Sequence, residues 1–245
     1  MGLKVAGAKL LLKGGLLNGN RYLAAMTDAS TEFGNTGGYA RILMTLSDWE
    51  AENSGGWYRN DDEENFPTPT ANLADPTHIG LYDAATSGNL LWVNALSSNV
   101  NAPQLGSNFG FDENAVRQRV SGVVTADGSK AAMTEGLLSG TRYISLHSAS
   151  PSASNRQGSS VQVQASHWDF VSGSENQARI NRIVTWGAQQ TNLADITHFA
   201  LRDGSGASAK ILFADSLDNN PDDPAIGDTI SFAANALSIT LAVDS

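Results

Sequence analysis

Apolar and polar residues alternate in short runs over most of the chain. Arg142-Tyr143-Ile144-Ser145-Leu146-His147 and Val161-Gln162-Val163-Gln164-Ala165 both follow the period of two that half-buried strands show. Thr197 to Asp203, then Gly204-Ser205-Gly206, then Lys210 to Phe213 reads as a hairpin, and Thr77 to Asp83 with Leu90 to Val93 reads the same way. Gly227 to Phe232 and Ala236 to Leu241 supply two more strands. Helical signals are weak. Leu3 to Lys13 is leucine-rich and is followed by Gly14-Gly15, while Asp127 to Glu135 has Asp127 as its expected N-cap and Gly136 as its expected stop. The pattern predicts a mainly β protein, with antiparallel β-sandwich or squat-barrel domains each preceded by a short helix. Strand periodicity and the scarcity of long amphipathic helices disfavour a nucleotide-binding α/β fold.

The pattern is written twice. Leu16-Leu17-Asn18-Gly19-Asn20-Arg21-Tyr22 returns as Leu137-Leu138-Ser139-Gly140-Thr141-Arg142-Tyr143, and Asn72-Leu73-Ala74-Asp75-Pro76-Thr77-His78 returns as Asn192-Leu193-Ala194-Asp195-Ile196-Thr197-His198. Leu91 to Leu96 matches Leu212 to Leu217, and Pro103, Gly106, Phe111 and Ala115 match Pro224, Gly227, Phe232 and Ala236. Trp49 pairs with Trp168 and Arg59 with Arg179. So many identities in one order predict a tandem duplication. Its expected domains are residues 1–121 and 122–245, joined by a short linker between Val120 and Asp127. Up to Val120 there are 8 basic and 13 acidic residues, and 7 and 12 afterwards, so each copy carries −5.

Composition narrows the partners. The 245 residues carry a formal charge of −10, which argues against DNA, RNA or an anionic membrane surface. With no cysteine there is no disulfide, no thiol chemistry and no Cys-ligated metal. No apolar run approaches the roughly 18 residues of a membrane span, and Lys9 and Lys13 interrupt any signal-peptide core. No cofactor is expected.

Candidate chemistry is sparse. His78 and His198 occupy equivalent places and read as structural histidines bonded at a strand end. His147 and His167 fall opposite Met26 and Asp48, so they define no shared cluster. No metalloprotease, nucleophile-elbow, phosphate-loop or dinucleotide motif is present, and no catalytic or metal residue is assigned. Asp61-Asp62-Glu63-Glu64 reads as solvated charge, since the second copy has Asn181-Arg182-Ile183-Val184 there. Asp218 to Asp223 spaces its oxygens like a calcium loop but lacks the central glycine and ends on Thr229, not a bidentate glutamate. Trp57-Tyr58, which the second copy replaces with Gln177-Ala178, is the best candidate for a partner or glycan contact. The matched aromatics Trp92 and Phe213, Trp49 and Trp168, and Phe66 and Trp186 read as core.

Several of these residues carry a resemblance. Arg21-Tyr22-Leu23 with Met26-Thr27-Asp28-Ala29, Gly37-Gly38-Tyr39-Ala40-Arg41, Phe66-Pro67, Thr77 to Ala84 and Gly88 to Trp92 resemble small virion proteins of tailed bacteriophages, commonly labelled tail or tail-fibre proteins. Gly227 to Leu241 resembles the closing strands of the same family. The second copy lacks the Gly-Gly-Tyr-Ala-Arg segment, so any contact made by Tyr39 or Arg41 would exist once per chain. The resemblance implies a non-enzymatic virion protein, a tail-associated accessory or fibre component in contact with other virion proteins of the tail, baseplate or capsid. Two alternatives stand beside it: capsid decoration, and a carbohydrate-binding host-attachment module. A homo-oligomer is expected, a trimer being one arrangement by which two domains per chain would match a six-fold surface.

Overall fold

A computed structural model describes residues 4–34, 37–52, 57–96, 103–118, 125–172, 174–218, 221 and 224–241. Residues 120–124 of the expected linker and most of the calcium-like loop lie outside the described residues, and the linker's last residues, Thr125 to Asp127, begin a helix. Compactness divides the described residues into two units: Leu12–Ala132 form one, and the residues up to Leu11 together with 133–241 form the other.

The unit of Leu12–Ala132 contains β1 (Arg21–Met26), β2 (Ile42–Met44), β3 (Trp49–Ala51), β4 (Tyr58–Asn60), β5 (Glu64–Asn65), β6 (His78–Tyr82), β7 (Leu90–Ala95), β8 (Gly110–Phe111) and β9 (Arg117–Gln118). Its main sheet runs β2-β1-β6-β7, a second sheet runs β3-β4-β9, and β5 pairs with β8. The other unit repeats this plan. Its strands are β10 (Thr141–His147), β11 (Arg156–Gln164), β12 (Trp168–Val171), β13 (Ser174–Ile180), β14 (Val184–Trp186), β15 (His198–Arg202), β16 (Ile211–Ser216), β17 (Ile230–Phe232) and β18 (Ser238–Thr240). They order as β11-β10-β15-β16, β12-β13-β18 and β14-β17. Every strand pair among the described residues is antiparallel. The fold is mainly β, with antiparallel sheets and short helices. Trp49, Phe66, Trp92, Trp168, Trp186 and Phe213 are all buried.

The helices extend beyond their expected ends. α1 (Val5–Leu11) continues as a π-helical turn, Leu12–Leu16, straight through Gly14-Gly15. α2 (Ala126–Ala131) is capped by Thr125, whose side chain accepts the Gly128 N–H, and it runs on through Gly136 as a second π-turn, Ala132–Leu137. Asp127 is therefore inside the first turn and Gly136 is no stop. The glycines serve close packing: a Cβ on Gly15 would lie 2.4 Å from the Ala132 Cα, and one on Gly136 would lie 2.7 Å from the Leu10 carbonyl. Arg21 then closes the first helical segment by donating to the Leu16 and Gly15 carbonyls (2.7 and 2.9 Å), and Arg142 does the same to Leu137 and Gly136 (2.7 and 3.1 Å).

Each helix meets a bulge. In β7 the register slips at Leu91, which leaves its carbonyl free to accept the Thr125 N–H at 3.1 Å. In β16 the same slip at Leu212 frees a carbonyl that accepts the Lys4 N–H at 2.9 Å. So α2 packs in the unit whose strands precede it, and α1 packs in the unit whose strands begin at Thr141.

Candidate functional site

In the unit of Leu12–Ala132, Trp57 and Trp92 line a cleft of about 630 Å³ together with Ile79, Asn94 to Leu96 and the loop from Gly110 to Arg117. The loop brings Asp112, Asn114 and Arg117 to the wall. Asn114 takes a positive φ of 63°, a conformation that asparagine tolerates, and Asn235 does the same in the other unit. The wall ends on an ion pair, Arg117 Nε to Glu52 Oε1 at 3.1 Å. Two buried groups in this wall have no hydrogen-bond partner: the Trp92 indole N–H and the Asn114 side-chain oxygen.

The four residues singled out as contacts separate. Trp57 is half-buried and lines the cleft, whereas Tyr58 next to it on β4 is only 5% exposed. The two neighbours in sequence thus do not share one surface. Tyr39 is buried, stacks on Phe66, accepts the Ala25 N–H at 2.9 Å and donates to Glu32 at 3.1 Å. Burial, followed by the Glu32 charge, pushes its phenol well above the ordinary range. Arg41 grips Glu32 through Nε and Nη2 at 2.8 and 2.6 Å, with its side chain 6% exposed, and sits 3.5 Å above the Tyr82 ring. Burial opposes its charge, but the hydrogen bond and charge of Glu32 outweigh that and raise its pKa. Tyr39 and Arg41 thus tie the loop after β1 to the turn after β6, where Arg41 also donates to the Ala84 and Ser87 carbonyls.

The histidines are engaged locally. His78 and His198 each share a hydrogen bond with the preceding threonine hydroxyl, Thr77 at 2.8 Å and Thr197 at 2.7 Å. Sequence reading missed a buried polar chain in the other unit: Ser145 Oγ to His147 Nε2 at 2.9 Å, and His147 Nδ1 to Asn155 Oδ1 at 2.9 Å. The order suggests a nucleophile, base and orienting amide, but Ser145 is 0% exposed and no substrate reaches it. Burial lowers the His147 pKa, and the neighbouring Arg202, Arg156 and His198 charges lower it further against the Asn155 bond. Ser145, His147 and Arg202 stand where the first unit has the cluster Ala24, Met26 and Tyr82. The signal was visible only as a polar residue at each place that is apolar or aromatic in the other copy.

One acidic side chain is electrostatically coupled. Burial, then the charges of Asp48 and Asp62, push the Glu64 carboxyl up to about 7. The fold therefore holds a proton that the unfolded chain releases, and stability falls as pH rises from about 4.5 to about 7, then levels off. Glu64→Gln is expected to flatten that part of the profile of urea midpoint against pH; an unchanged slope would assign the effect elsewhere. Among the described residues, no group of three or more His, Asp or Glu side chains is placed to hold a metal ion. No helix among them is long and apolar enough to cross a membrane.

Residues 19–118, all inside the unit that carries the cleft, match the family model described as podophage GP4 fiber I protein gp80. No curated protein and no solved structure matches the chain. The family match supports a phage fibre-type protein and implies a virion component. The resemblance read over both copies is thus matched over the first.

Proposed function

We propose that this chain is a non-enzymatic, tail-associated fibre or accessory component of a phage particle, which assembles with other virion proteins. The observation that carries the reading is the fibre-family match over residues 19–118. A tandem duplication with domains 1–121 and 122–245 extends the same role to the second half. It is supported by the shared strand order of the two units and by the paired bulges at Leu91 and Leu212. Two fibre-type domains in one chain give two related contact surfaces from a single gene product, and a trimer of such chains would present six.

Imaging of particles that carry a gold-labelled or tagged copy tests the placement. Label at the tail or baseplate is the expected result. Label over the capsid shell would replace the tail reading with head decoration.

A further inference from the structure

We propose that His167 and Arg182 form a carboxylate-binding groove, and that its ligand is the acidic turn Asp61 to Glu64 of a second copy of this chain. The groove, of about 250 Å³, is lined by Val161, Val163, His167, Arg182, Ile183 and Thr185. The Gln164 N–H donates to His167 Nδ1 at 3.1 Å. Burial, then the Arg182 charge, lower the His167 pKa, so near neutral pH the ring holds one proton, and that proton is on Nε2. Nε2 faces Arg182 Nη1 at 3.0 Å, yet a guanidinium only donates. The other tautomer moves the conflict to the Gln164 N–H and does not remove it. Two donors thus meet in the groove with one acceptor too few. His167 is half-buried and Arg182 is exposed, so an incoming group reaches both.

A carboxylate resolves the conflict. It only accepts, its two oxygens take one N–H from each residue, and its charge answers that of Arg182. Among the described residues Arg182 has no ion pair, and Asp169 on β12 accepts instead from the Asn181 amide at 3.1 Å.

The first unit carries the complementary fault at the same place. Asp48 stands where the second unit has His167, each closing a short helical turn before a buried tryptophan. Asp62 and Glu64 stand where it has Arg182 and Val184. Burial raises the Glu64 pKa first and the charges of Asp48 and Asp62 add to it, so three carboxyl groups crowd together. The cations of the neighbouring strands are taken: Arg59 pairs with Glu50 at 2.7 Å and Arg117 with Glu52 at 3.1 Å. Asp62 is exposed, and Leu43 on β2 presents a large aliphatic side chain at 49% exposure, as Ile183 does at 63% beside Arg182. Contact between these places in two copies gives the donors an acceptor and the carboxylates a cation. Turn and groove are on different units of every chain, so each copy offers both halves of the contact. This assignment does not depend on where the chain sits in the particle.

Sedimentation velocity of the full-length chain over a range of concentrations tests the contact. Expected is reversible self-association that weakens as salt is raised, because the charges meet near solvent. Arg182→Glu and Asp62→Arg are each expected to weaken it by about tenfold or more, since like charges are then brought together. Both side chains are exposed, so unchanged melting temperatures show that the variants fold. An equimolar mixture of the two variants keeps one matched pair, the acidic turn of the Arg182→Glu chain and the groove of the Asp62→Arg chain. The mixture is expected to form a mixed complex although neither variant associates alone. The proposal is overturned if the parent stays monomeric, if either variant associates like the parent, or if the mixture does not associate.

Discussion

Gly128→Ala is expected to destabilise the protein sharply, although the same change in an ordinary helix stabilises it. Alanine in a helix interior is better than glycine by about 1 kcal/mol, because glycine gives up more backbone freedom on folding. Here the added Cβ would lie 1.8 Å from the Leu91 carbonyl oxygen. No rotamer relieves that contact, since a Cβ is fixed by the backbone, and the oxygen is fixed by the bulge in β7 and its bond to the Thr125 N–H. The helix would have to lift from the strand, giving up that bond and the Thr125 hydroxyl bond to the Leu90 carbonyl. The loss is expected to reach about 3 kcal/mol, the upper end of what overpacking usually costs, because the atom it meets is fixed backbone. Gly206→Ala, where nothing lies within 4 Å of the new methyl, is the control and is expected to be near neutral. Urea unfolding of the two variants measures the difference. Equal midpoints would mean that α2 does not need its close approach to β7.

This contact also marks where sequence reading stops. The strands were legible because a period of two and Gly-rich turns are local signals, and β15 with β16 and β6 with β7 form the two expected hairpins. Core aromatics were legible through their repetition: Trp49 and Trp168 stand at the same places and both are buried. The partner of a helix is not local. Nothing in Asp127 to Glu135 says that the segment packs beside Leu91, and Gly136 resembles a stop because a glycine after a helix usually is one. Only the neighbouring backbone reveals a glycine kept for close approach. The site shows the same limit. Trp57 and Tyr58 look like one aromatic pair in sequence, but Tyr58 is buried at the start of β4 while Trp57 just before it lines the cleft, and the residue that joins Trp57 there is Trp92, read as core. That reading was sound for its ring and silent about its N–H.

The second large effect is expected at Asn60, which holds the cleft's polar loop in place. The residue lies on β4 at 0% exposure, and every polar atom it owns is used. Its amide donates to the Asp62 and Asp112 carbonyls at 2.6 and 2.9 Å, and its side-chain oxygen accepts the Val116 N–H at 2.8 Å. Its backbone adds bonds to Val116 and Asn114 at 3.0 and 3.1 Å. In the other unit Ile180 keeps the two backbone bonds, to Leu237 and Asn235, and is also fully buried, but it makes none of the side-chain bonds. The fold can therefore close with an apolar residue at this place, and the amide is a local device of the first unit. Asn60→Leu keeps the number and branching of the side-chain heavy atoms and removes three hydrogen bonds. The Val116 N–H is left buried without its partner, the Asp62 carbonyl loses the amide, and the Asp112 carbonyl keeps the Ala115 N–H at 3.1 Å. At about 1 to 3 kcal/mol for the orphaned N–H, with a smaller loss from the two bonds to the exposed carbonyls, the variant is expected to lose about 3 kcal/mol. Urea unfolding at constant m-value gives the stability change. The same substitution is expected to loosen the Asp112 to Val116 loop, so amide exchange at Asn114 and Val116 should quicken before global unfolding does. If the loop amides stay as protected as in the parent, Asn60 does not set the wall of the cleft.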